Sequence, residues 1–216
     1  MTNLTLEEKI QSIINGNGTS GNNAGESIMG QMPPIPSATT NASPKKSNAV
    51  LPARLDFVHV FEPWAFSENE RPKYSVTLII SKNDTDTIRK VQSAISQAYE
   101  NGKSKLQNTE LKNVRSPLRD GDAERPDNPA YRNCWFINTT NNGKFGAPAV
   151  CDKNAQAITD KRELYSGVWG KVHVSFAAYY GGSGQSQKGI GCYLKAVQKI
   201  RDDERLENPF AVFMTE

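Results

Sequence analysis

The chain has 216 residues, enough for one domain with its own hydrophobic core. Its net charge of +3 is too mild to announce a nucleic-acid or membrane partner by itself, but all of it lies on residues 50–216, because Lys9, Lys45 and Lys46 balance Glu7, Glu8 and Glu26 in the first 49. Three widely spaced cysteines, Cys134, Cys151 and Cys192, exclude a disulfide framework and lack the paired spacing of a zinc site; no run is apolar enough to span a bilayer, and no secretory leader is evident.

In chain order, Thr5-Leu6-Glu7-Glu8 is a capping box that opens a short amphipathic helix, with Leu6, Ile10, Ile13 and Ile14 on one face. Residues 1–15 are thus expected to form a tethered helix too short to stand alone in water. Residues 16–49 are rich in Asn, Gly, Ser, Thr and Pro and read as a disordered linker. The folded domain is expected over 50–203, followed by a tail over 204–216.

Leu51 to Phe61 reads as a strand and Lys73 to Ser81 as a second, separated by a polar loop that carries Trp64 and Phe66. Asp84 or Thr85 caps a helix whose stripe is Ile88, Val91, Ile95, Ala98 and Tyr99, and Asn101-Gly102 ends it. Residues 103–132 read as irregular. A third strand covers Asn133 to Thr139, and Trp135 and Phe136 within it point to opposite faces, one toward the core and the other free to be exposed. Ala149 to Ile158 reads as a short strand and turn.

Two alternating strands then flank a glycine-rich tip, Gly181-Gly182-Ser183-Gly184. Val168, Val172, Val174, Phe176 and Ala178 fall on one face, as core; Trp169, Lys171, His173, Ser175 and Tyr179 fall on the other. Flat rings beside positive charge are what a groove for single-stranded nucleic acid needs: bases stack on aromatics, and phosphates pair with Lys and Arg. About five strands with one inserted helix predict an α+β, mainly β domain, best fitted by a five-stranded OB-fold barrel with long loops.

The residues also carry a resemblance. Val60-Phe61-Glu62-Pro63, Pro72 through Ile80, Pro117-Leu118-Arg119-Asp120-Gly121-Asp122, Arg125-Pro126-Asp127, Pro129-Ala130-Tyr131, Phe136-Ile137-Asn138, Tyr165-Ser166-Gly167, Lys188-Gly189-Ile190 and Val197 through Asp202 occur in an order and spacing that resemble a family of bacteriophage single-stranded DNA-binding proteins. The resemblance implies an OB-fold that coats single-stranded DNA without strong sequence preference during phage replication or recombination, in the cytoplasm of the infected bacterial host. The tail departs from the acidic ends of many such proteins, being short, mildly acidic and interrupted by Arg205.

The DNA-contact residues expected on these grounds are Trp64, Phe66, Arg71, Lys73 and Tyr74, then Tyr131, Trp135, Tyr165, Trp169, Lys171, Tyr179 and Lys188. For Trp64 and Phe66 the competing reading is loop packing on the barrel end, and for Trp169 a ring covered by a loop. Arg119 and Arg125 sit among Asp120, Asp122, Glu124 and Asp127 and read as internal ion pairs. That acidic stretch resembles a calcium loop only loosely: its sixth position is Arg125 and its twelfth Tyr131. No metal, cofactor or catalytic residue is expected, since neither a nucleophile elbow nor a phosphate loop occurs. The partners expected are single-stranded DNA, replication or recombination proteins reached through residues 1–15 or the tail, and a second copy of the chain. The alternatives are a metal-dependent nuclease or phosphotransferase built on the 120–127 carboxylates, and a protein-interaction module.

Overall fold

The computed structural model describes residues 47–65, 67–144, 146–181 and 188–206. The expected helix over residues 5–15, nearly all of the linker, Phe66, the hairpin tip beyond Gly181 and the tail beyond Leu206 lie outside these residues.

Among the described residues, seven strands form one continuous sheet: β1 (Asn48–Trp64), β2 (Lys73–Ser81), β3 (Leu118–Asp120), β4 (Cys134–Asn141), β5 (Ala149–Cys151), β6 (Trp169–Tyr180) and β7 (Lys188–Arg201). β1 pairs antiparallel with both β2 and β6, β2 with β4, and β6 with β7. A parallel contact between β4 and β7, at Thr140 and Tyr193, closes these five into a barrel. That is the expected OB-fold connectivity, with β3 added beside β4 and β5 beside β7.

The alternation read in β6 holds. Val172, Val174, Phe176 and Ala178 point inward and are buried, while Lys171 and Ala177 are exposed. Helix α1 (Thr85–Gly102) is capped by Asp84, whose side chain accepts from the Thr87 amide at 3.1 Å. Its stripe Ile88, Val91, Ile95, Ala98 and Tyr99 is buried, and the helix packs mainly on β6 and β1. Gly102 is the last helical residue, and its role is close approach: a Cβ there would lie 2.2 Å from the Ala178 Cβ.

Four expectations are corrected. First, β1 begins at Asn48, ahead of the expected boundary near Val50, and Asn48 and Ala49 pair with Ser175 and Val174. Second, residues 103–132 are not merely irregular. They hold β3, the single-turn helix α2 (Gly121–Glu124) and two 3-10 turns, and part of this segment folds back over the outside of the barrel. Strand β3 is three residues long, too short to show a period in the sequence.

Third, that segment buries the outer face of β4 as well as the inner one. Trp135 (9% exposed) joins the barrel core, and Phe136 (0%) forms a satellite core with Ile79 and Tyr131. Fourth, β1 runs past the expected end at Phe61 to Trp64, which pairs with Lys73 as a strand residue and does not sit in the loop. The start of the tail is docked. The Leu206 amide donates to the Ser166 carbonyl at 2.9 Å. Gly167, with φ +121°, lets the chain pass: a Cβ there would lie 2.1 Å from the Glu204 carbonyl oxygen.

Candidate nucleic-acid interface

The outer faces of β1, β2 and β4 form the floor of an open groove of about 1240 Å³. Because side chains alternate along a strand, Ser75 and Thr77 of β2 and Asn138 and Thr140 of β4 line that floor. The Thr77 hydroxyl donates to Asn138 Oδ1 at 3.0 Å. The floor is thus a polar surface rich in donors and acceptors.

At one end Trp64, 50% exposed, stacks on His59 with ring centroids 4.9 Å apart and planes 10° from parallel. Burial lowers the His59 pKa, so this pair presents two neutral flat rings near pH 7. Arg71 and Lys73 are exposed beside it, and neither makes an ion pair among the described residues.

The other end is built on the satellite core. The Tyr131 hydroxyl donates to Asp56 Oδ2 at 2.6 Å, and the Asp56 side chain is almost wholly buried. The guanidinium of Arg125 lies over Tyr131 at 4.3 Å, over Phe136 at 4.6 Å and over Phe57 at 5.3 Å. Glu204, Arg205 and Leu206 line the rim.

An open groove across the first three barrel strands, with exposed rings at its ends and cations along it, suits a flexible polyanion with flat bases. Residues 48–210 match the sequence profile of the family described as Enterobacter phage Enc34, ssDNA-binding protein. The chain belongs to this phage single-stranded DNA-binding family. A relative from Acyrthosiphon pisum secondary endosymbiont phage 1, putative protein p50, is 30% identical over 159 residues, which span 70% of this chain and 81% of that protein.

Among solved structures, the single-stranded DNA-binding protein of bacteriophage Enc34 in complex with ssDNA superposes with a TM-score of 0.60 at 23% identity, covering 74% of this chain and 88% of that one. The single-stranded DNA-binding protein gp2.5 of bacteriophage T7 superposes with a TM-score of 0.53 at 13% identity, covering 78% and 95%. At these identities the structural likeness speaks for the fold.

Within this member of the family, the residues expected to touch DNA fall in separate places. Trp64, Arg71 and Lys73 line the groove. Tyr74 follows the inward phase of β2 and is half-buried. Tyr131 (0% exposed) is a core residue whose ring is unavailable to a base, and Trp135 is buried on the barrel side of β4.

Trp169 and Tyr165 belong to a cluster that pins the tail. The Trp169 indole N–H donates to Asp203 Oδ2 at 2.6 Å, under the Arg201 guanidinium at 4.8 Å. The Tyr165 hydroxyl donates to Asp202 Oδ1 at 2.9 Å, and Arg205 lies 3.9 Å over its ring. Lys171 and Tyr179 lie on the outer face of β6, away from the groove, with the Tyr179 ring against Gly189. Lys188 donates to Thr109 Oγ1 at 3.0 Å.

The carboxylates of residues 120–124 are divided between two cations. Lys82 Nζ lies 2.7 Å from Asp120 and 2.6 Å from Asp122, and Arg119 pairs with Glu124. Arg119 therefore makes the expected ion pair, whereas the Arg125 guanidinium rests on rings instead. Among the described residues, no group of three or more His, Cys, Asp or Glu is arranged to hold a metal ion.

Sequence reasoning missed Phe57, His59, Arg125 and the polar floor. One signal was present: Leu51, Ala53 and Leu55 alternate on odd positions, while Val58 and Val60 alternate on even ones. A change of parity inside one strand means an extra residue, and therefore a bulge between Leu55 and Val58.

Proposed function

We propose that this chain binds single-stranded DNA of any sequence along the groove and supports phage DNA replication or recombination in the cytoplasm of the infected host, without catalysing a reaction. A base stacks on the exposed face of Trp64, which His59 backs. The hydroxyls and amide of the floor meet neighbouring base edges. Phosphates pair with Arg71 and Lys73. Each stacked base contributes about 1–3 kcal/mol whatever its identity, which is why the groove tolerates any sequence. Because only the unpaired strand reaches the floor, binding shifts the duplex equilibrium toward single strands by mass action.

The observation that carries this reading is Trp64, half exposed and stacked on His59, beside Arg71 and Lys73 at the mouth of an open groove. The test is titration of intrinsic tryptophan fluorescence with oligo-dT, and with a duplex, at two salt concentrations. Tighter binding of the single strand with a clear salt dependence is expected; equal affinity for duplex and single strand overturns the reading. A salt-independent, mostly apolar association would favour a protein partner instead. Metal-dependent shortening of the oligonucleotide would restore the nuclease alternative.

Lys73→Ala is expected to flatten the slope of log K against log salt by about one unit, because one phosphate contact fewer releases one condensed counterion fewer.

We also propose that residues 1–46 contribute contact with another protein or a second copy and not the DNA groove. A chain starting at residue 46 is expected to keep the melting temperature and DNA affinity of the full chain. A chain starting at Leu51 is expected to melt lower, since it loses the pairs Asn48–Ser175 and Ala49–Val174 and the bond from the Phe176 amide to the Ser47 carbonyl. A large loss of affinity in the chain starting at residue 46 would show that the N-terminal residues act on DNA.

A further inference from the structure

Phe57 stands out on backbone grounds. Its φ is +48°, a left-handed conformation that a bulky aromatic residue seldom adopts. The cause is a bulge. β1 pairs Asp56 with Thr77 and then His59 with Ser75, so β1 advances three residues while β2 advances two.

The bulge is held firmly from below. The Phe57 amide donates both to Asp56 Oδ1 at 2.8 Å and to Ser166 Oγ at 3.0 Å. Asp56 is fixed in turn by Tyr131 at 2.6 Å, and residues 166–168 are tied to β1 by Gly167 N to Leu55 O at 2.8 Å and Leu55 N to Val168 O at 2.9 Å. A buried carboxylate and a strained backbone therefore sustain a conformation whose visible result is an aromatic side chain on the groove wall. Phe57 is 37% exposed there, with the Arg125 guanidinium 5.3 Å over its ring. Strain of this kind persists where the surrounding structure over-determines it, and such sites gather where ligands bind.

We infer that Phe57, backed by Arg125, is a second base-stacking station of the groove, opposite the one at Trp64. This rests on the single-strand reading proposed above. Phe57 adjoins the Asp56–Thr77 pair and Trp64 pairs with Lys73, so the stations are about 13 Å apart along β2 at about 3.3 Å per residue. The polar floor lies between them. A guanidinium against one face of a phenyl ring leaves the other face for a base, and its charge also favours the phosphate that follows.

The experiment uses the full chain with Phe57→Gly and Phe57→Asn, two residues at ease with positive φ, and with Phe57→Trp. Each is titrated with oligo-dT and with an abasic oligonucleotide of equal length, which keeps the phosphates but has no rings to stack. Phe57→Gly and Phe57→Asn are expected to bind oligo-dT about 5- to 150-fold more weakly than wild type, and the abasic strand with unchanged affinity. Phe57→Trp is expected to keep wild-type affinity for oligo-dT.

Melting temperature identifies which variants are folded; either small-residue variant that folds is sufficient. Undiminished oligo-dT binding by a folded variant overturns the inference, as does an equal loss on both oligonucleotides, which would mean the ring only shapes the groove. Failure of the wild-type chain to bind oligo-dT would instead overturn the single-strand reading itself.

Discussion

Tyr131→Ala is expected to lower the unfolding free energy by about 3–5 kcal/mol, the usual loss when a large ring leaves a packed core. Tyr131 is fully buried against Ile79 and Phe136, with its ring at 88° to Phe136 and the centroids 5.3 Å apart. Tyr131→Phe keeps the ring and removes only the hydroxyl. That leaves the Asp56 carboxylate, 6% exposed, without the donor at 2.6 Å, and about 1–3 kcal/mol is expected to go with it. Burial, and then the hydrogen bond to Asp56, push the Tyr131 pKa far above its ordinary value, so the hydroxyl stays a donor over the whole working pH range.

Urea midpoints at constant slope check both numbers. The two variants also test whether Tyr131 meets DNA. A tyrosine that serves only to stack on a base is replaced by phenylalanine almost silently, in stability and in binding alike. A wild-type urea midpoint for Tyr131→Phe would sink the structural assignment. Because Arg125 and the bulge at Phe57 both rest on this pair, DNA affinity of the folded Tyr131→Phe protein is expected to fall as well.

Trp64→Ala is expected to cost about 1–3 kcal/mol of affinity for oligo-dT, with little change in melting temperature or salt slope. The ring is half exposed, so its loss removes little core, and stacking releases no counterions. Trp169→Ala is expected to show the reverse. Its indole N–H is bonded to Asp203 and its face is covered by Arg201, so truncation frees the start of the tail and costs about 0.5–3 kcal/mol of stability. Affinity in its folded fraction should change little. Affinities of the two variants, measured beside their melting curves, decide the matter. If Trp169→Ala loses affinity while Trp64→Ala does not, the strand runs over the outer face of β6, past Lys171 and Tyr179, and the groove assignment is wrong.

Much of the scaffold could be read along the chain because its signals are local. The stripe of α1 repeats every three or four residues and its cap lies immediately before Thr85, so both are visible in a short window. The inward valines of β6 alternate without interruption, so the split between core and surface followed directly. The expectation failed where a second layer arrives from elsewhere in the chain. Trp135 and Phe136 do point to opposite faces of β4, yet both are buried, because residues 121–131 cover the outside of the barrel at that point. Nothing within β4 announces that cover.

The groove divides along the same line. By itself the sequence determined the phases of β2 and β6, the helix, the family and the aromatic–basic character of the stretch from Trp64 to Tyr74, since each depends on residues close to one another or on an ordered string of short motifs. Only the tertiary structure decided which rings remain free to stack. Tyr131 is sequestered by a carboxylate 75 residues earlier in the chain, and Trp169 by one 34 residues later. Phe57 is turned outward by a bulge that the same carboxylate holds in place. Exposure of a ring is set by what packs over it, and closing such distant contacts depends on the whole barrel being assembled, so no local period in the chain encodes it.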